Sequence, residues 1–169
     1  MYIYKHSEIR KQPLTDSGTE MKQRILLGTL LPLFFGIIIY VFFRNENIRA
    51  IEWLNSFDFT KQIALLRLPI DFLIAPEWFV YNLPDGLWIF SLTFLLLTIW
   101  NNDKSHQAKL WIAAPLVIAF SLEFGQLIGV GSGTFDLMDI TFYFFGFILS
   151  VITYYLSPNF KSITYEQKN

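Results

Sequence analysis

The chain has 169 residues, of which 53% are apolar, 18% aromatic and 16% charged; a soluble domain carries about 25% charged residues, so the usual water-facing surface is missing. A net charge of −1 with no basic stripe excludes neutralisation of phosphate backbones, and no nucleic-acid partner is expected. Cysteine is absent, which excludes disulfides, thiolate metal sites and a cysteine nucleophile and leaves the compartment open.

Residues 1–24 are polar, carry Lys5, Arg10, Lys11, Lys22 and Arg24, and are expected to form a cytoplasmic N-terminal segment. They do not lead a cleaved signal peptide, because the apolar run after them exceeds its core of about 7–15 residues. Phe42-Phe43-Arg44-Asn45 also offers no small-residue cleavage site, so the run reads as a retained signal-anchor. That first span, Ile25 to Phe43, is free of charge and reaches roughly 28 Å, close to the hydrocarbon thickness. Pro32 is a candidate kink, tolerable where neighbouring helices satisfy the backbone.

Residues 44–85 carry too many charges for a span and too many aromatics for a free loop. Ile48, Ile51, Trp53, Leu54 and Phe57 suggest an amphipathic helix in the interface. Pro69 and Pro76 punctuate the rest of the segment, and Trp78, Phe79 and Tyr81 resemble an aromatic belt. An outer amphipathic or partly re-entrant element is expected here. The second span is expected to open at or just before Pro84, a residue favoured at the first helical position, and to run through Trp100.

Residues 101–109 read as a polar loop, and the third span runs from Leu110 to about Ile128, interrupted by Glu123 and Gln126. Gly129 to Gly133 form a turn. The fourth span runs from Phe135 to Leu156 with Asp136 and Asp139 in its first turn, and Ser157-Pro158 ends it before a polar tail. The fold class is therefore all-α, an integral membrane bundle of four transmembrane helices over residues 25–156, with residues 157–169 as a cytoplasmic tail. With the N-terminus inside, nine Lys and Arg lie on the inner side and four on the outer, which favours both termini in the cytoplasm.

In that arrangement the polar residues gather near the outer face. Asp85 opens the second span, Glu123 and Gln126 share one face of the third, and Asp136 and Asp139 open the fourth, with Tyr143 and Gly146 continuing their stripe inward. Glu123 lies fourteen positions from Lys109, about 21 Å along the helix and still within the hydrocarbon. An ionisable group at that depth costs about 2.5–3.5 kcal/mol on insertion scales and by default marks a site; the plain alternative is a packing hydrogen bond to Gln126 or a neighbouring helix. For Asp136, Asp139 and Asp85 the plain alternative is helix capping, with Thr134 an equal candidate cap. Several carboxylates in one low-dielectric pocket bind a cation, recruit Arg or Lys, or share protons. A divalent cation is thus one possible occupant, and no other cofactor is indicated. Arg44 and Arg67 lie on the same side and are candidate partners, although an interfacial arginine more ordinarily snorkels. His6 and His106 read as surface residues, and phosphate loops, nucleophile elbows and zinc spacings are absent from the sequence.

The stretch Glu123-Phe-Gly-Gln126, a Gly-rich turn, Phe135-Asp136-Leu-Met-Asp139-Ile and Gly146 resembles the signature of VanZ-like membrane proteins, and Pro84-Asp85-Gly86-Leu87-Trp88 is similar to their entry into the second span. The resemblance covers residues 25–156. It departs from the family where an Arg often precedes the first aspartate, since Ser132, Gly133 and Thr134 stand there, and where an Asn often follows the second, since Tyr143 stands there. The resemblance implies a bacterial cytoplasmic membrane and a role in the cell envelope, with no general catalytic mechanism. The leading expectation is a pocket that binds or acts on a lipid-linked or surface envelope molecule. Within it Glu123 and Asp139 are candidate catalytic groups, and Asp85, Gln126, Asp136, Tyr143, Arg44 and Arg67 line a substrate or cation pocket. The alternatives are a small non-catalytic subunit of a larger membrane complex and ion or proton translocation. The inner halves of the second, third and fourth spans carry no ionisable residue for a relay.

Overall fold

A computed structural model describes residues 17–43, 75–101, 103–130 and 133–157. The expected outer element therefore lies largely outside the described residues, as do Arg44 and Arg67. Helix α1 is one continuous rod made of Ser17–Arg24, a π-helical turn Ile25–Leu30, and Leu31–Phe43. Helices α2 (Glu77–Trp100), α3 (His106–Leu127) and α4 (Leu137–Leu156) come next, and the described residues contain no strand. Four stretches are long and apolar enough to cross a membrane: Met21–Phe43, Glu77–Trp100, His106–Leu127 and Leu137–Leu156. Large apolar side chains such as Phe34, Leu110, Trp111, Ile118, Phe145 and Leu149 face outward, as lipid requires and water does not. The chain is a multi-pass all-helical membrane protein.

The rods alternate in direction. Phe43 at the end of α1 meets Phe79 at the start of α2 edge-to-face at 5.7 Å, while Arg24 and Asn101 at the other end both approach Tyr154 near the end of α4. Helix α2 is the central rod and packs on all three others, whereas α3 lies at the periphery. The core near the Tyr154 end is Phe94, Leu97 and Tyr154, with Phe90, Ile112 and Val151 against it. Phe94 meets Tyr154 edge-on at 5.7 Å and stacks on Phe90 at 6.0 Å.

Glycines bring the backbones together. A Cβ on Gly146 would overlap the Gly86 carbonyl, and one on Gly86 would lie 3.0 Å from the Phe142 carbonyl oxygen. Side-chain-free surface lets α2 and α4 touch backbone to backbone, as small residues do between membrane helices. Gly28 likewise admits the Phe94 ring onto α1.

Two boundaries differ from the sequence reading. Helix α2 begins at Glu77, seven residues before Pro84, so Pro84 sits inside it and Trp78, Phe79 and Tyr81 belong to its first two turns. Pro76, extended at φ −66°, ψ 149°, is the residue that stops the helix from starting earlier. Helix α3 begins at His106, because Ser105 accepts a hydrogen bond from the Ala108 amide and turns part of the polar loop into a capped first turn. Asp103 in turn accepts from the Ser105 amide.

Candidate functional site at the Phe43–Glu77 end

The link from α3 to α4 determines where the acidic groups fall. Gly129 takes φ 75°, its amide donates to the Gln126 carbonyl at 3.1 Å, and the Val130 amide donates to the Gly125 carbonyl at 2.7 Å. This pair of bonds is a Schellman stop, and the left-handed position explains why glycine comes after Ile128. Gly133, at φ 128°, carries the chain back past Gln126, whose side-chain amide lies 3.0 Å from where a Cβ on Gly133 would be. Gln126 is thus directed toward the connecting loop, and no hydrogen bond joins it to Glu123 among the described residues.

Asp136 is the N-cap of α4: one carboxylate oxygen accepts from the Met138 amide at 2.8 Å. The capping explanation holds for this residue, with Asp136 rather than Thr134 as the cap. Asp139 does something else. The Asn82 side-chain amide on α2 donates to its Oδ1 at 2.7 Å and reaches the Asp136 Oδ2 at 3.5 Å. Asn82 is buried, and so is Glu123, which keeps 3% of its surface. One Glu123 oxygen accepts from the Asp136 amide at 3.3 Å and the other from the Tyr143 hydroxyl at 3.4 Å. Glu123 therefore ties the peripheral α3 to both the cap and the second turn of α4. Asp85, half-buried on α2, lies with Asp139 and Glu123 within electrostatic reach of the Tyr143 hydroxyl.

The result is a polar layer built by three helices: Asn82 and Asp85 from α2, Glu123 from α3, and Asp136, Asp139 and Tyr143 from α4. Aromatic rings flank it, with Trp78 stacked on Phe142 at 6.1 Å. Carboxylates predominate among the described side chains here. Lys, Arg and His are absent from the described residues at this end, so within that set the four carboxylates meet the neutral donors Asn82, Tyr143 and backbone amides. Among the described residues no group of three His, Asp or Glu is placed to hold a metal ion. The acids are spaced by Asn82 and Tyr143 rather than turned onto one point.

Sequence reasoning passes over Asn82, because it opens the second span at Pro84. Once the helix is extended to Glu77, Asn82 and Asp85 fall three residues apart on one face, the same spacing as Glu123 to Gln126 and Asp136 to Asp139.

Comparison with known proteins finds no matching family model, no matching curated protein and no matching solved structure.

Proposed function

We propose that this chain resides in a bacterial cytoplasmic membrane with both termini cytoplasmic, and binds or acts on a lipid-linked or surface molecule of the cell envelope, in the manner its VanZ-like motifs suggest. The observation that carries this reading is the tie of Glu123 to Tyr143 and of Asn82 to Asp139 at one end of the bundle. Groups from three helices are held in a partly buried layer, with Asn82 and Glu123 at its buried centre, and its richness in carboxylates favours a ligand rich in donors or carrying positive charge. Glu123 and Asp139 are the groups best placed to meet it, and Asp85 and Tyr143 to orient it.

The test replaces the chromosomal copy with Glu123→Gln or Asp139→Asn and scores membrane abundance alongside the envelope phenotype of a deletion strain. Normal insertion with loss of complementation supports the pocket. Full complementation by both variants ends it, and a protein that co-purifies with the chain in stoichiometric amount then favours a non-catalytic subunit.

A further inference from the structure

We propose that Arg24, at the end of the bundle opposite the carboxylate layer, is an anion site that takes a phosphate group. Arg24 is the last residue before the π-helical turn of α1. In a regular helix at about 100° per residue, a residue twelve positions from Gly36 falls roughly 120° away from its face. A π turn closes hydrogen bonds over five residues instead of four and advances less per residue. Six residues of it, Ile25–Leu30, return Arg24 to the buried face that carries Gly28, Gly36 and Ile39.

An arginine at the end of a span ordinarily snorkels to water or headgroups. This one does not. It keeps 9% of its surface, and its guanidinium lies over the Tyr154 ring at 5.6 Å from the centroid. Tyr154 is itself fully buried, and its hydroxyl donates to the Asn101 side-chain oxygen at 3.4 Å. One terminal guanidinium nitrogen, Nη2, is buried without a hydrogen-bond partner among the described residues. The acidic side chain described at this end, Asp103, is engaged by the Ser105 amide.

A buried guanidinium with an unused donor is costly unless an anion completes it. The planar fork suits a phosphate or phosphodiester, which it grips with two parallel N–H groups. Lys22, Lys104 and Lys109 lie at the same end and are exposed, so the surrounding field also draws anions. Basic pockets between helices at a membrane boundary take phospholipid headgroups. Because Nη2 is buried, the guanidinium turns outward to meet the phosphate, leaving the Tyr154 ring over which it otherwise lies.

The full chain in detergent is titrated with short-chain phosphatidylglycerol, short-chain phosphatidylcholine and inorganic phosphate, with thermal unfolding as the readout. Stabilisation by phosphatidylglycerol and not by phosphatidylcholine supports the site and assigns it to anionic lipid. Equal stabilisation by inorganic phosphate supports the site and assigns it to the free ion. Arg24→Gln is expected to weaken the effective ligand about tenfold or more, Arg24→Lys less, and Lys109→Gln only slightly, through the loss of one charge from the surrounding field. Unchanged affinity in Arg24→Gln overturns the proposal, as does a wild-type chain stabilised by neither phosphatidylglycerol nor inorganic phosphate. That second comparison needs only the wild-type chain and stands even if Arg24→Gln fails to fold.

Discussion

Gly146→Ala should open the polar layer without touching any group in it. The added methyl would overlap the Gly86 carbonyl, which is backbone and cannot swing aside, so α2 and α4 must separate. The Asn82–Asp139 hydrogen bond lies on the same α2–α4 seam. It spans 2.7 Å and is lost beyond 3.5 Å, which leaves 0.8 Å of play. Relieving the overlap takes about that much movement or more. Overpacking costs about 1–3 kcal/mol, and loss of a hydrogen bond to a charged acceptor adds about 1.5–3 kcal/mol. The gain in helix propensity from Gly to Ala returns about 1 kcal/mol, so a net loss of about 1.5–5 kcal/mol is expected. Gly36→Ala is the control. A Cβ there would meet Trp88, Leu87 and the Pro84 carbonyl at 3.4–3.5 Å, ordinary contact, so the propensity gain should dominate and the variant should match or exceed wild type. The assay is reversible unfolding in mixed micelles with increasing SDS. Equal stability of Gly146→Ala and Gly36→Ala would refute the claim that the Gly86–Gly146 contact sets the spacing of the site.

Asn82→Asp places a fifth acid beside Asp139 and Asp136 and should destabilise more than Asn82→Leu, by about 1 kcal/mol or more in the same assay, since like charges in a low-dielectric layer repel strongly. Tyr143→Phe removes one donor to Glu123 and should cost about 1–2 kcal/mol while leaving helix content by circular dichroism unchanged. Thr134→Cys, in a chain with no other thiol, should react with an impermeant maleimide applied to intact cells; labelling only after the membrane is opened would reverse the orientation.

Much of the bundle is legible in the sequence because lipid leaves a strong imprint: four apolar stretches, and a Glu123 that no lipid-facing position would tolerate. The aspartate spacing on α4 is equally clear, though nothing local tells that Asp136 spends one carboxylate oxygen on the Met138 amide while Asp139 turns to α2. That division depends on Asn82, which stays hidden because Pro84 reads as a helix start. Burial of Pro84 in the bundle offsets the cost of a proline inside α2, and this is a tertiary effect with no local signature. Arg24 escapes notice for a related reason. Its place in a basic flank suggests a solvated residue, and the π turn that rotates it inward leaves no recognisable pattern in Ile25–Leu30.

Pro84 has no amide hydrogen, so the Val80 carbonyl lacks its usual rung in the helical ladder. A rod missing one rung has a single weak point, and here that point falls between the two polar residues α2 contributes. Asn82 stands above it and Asp85 below. Any swing of the first two turns carries the amide away from Asp139 while Asp85, on the fully laddered stem beside Gly86, keeps its place.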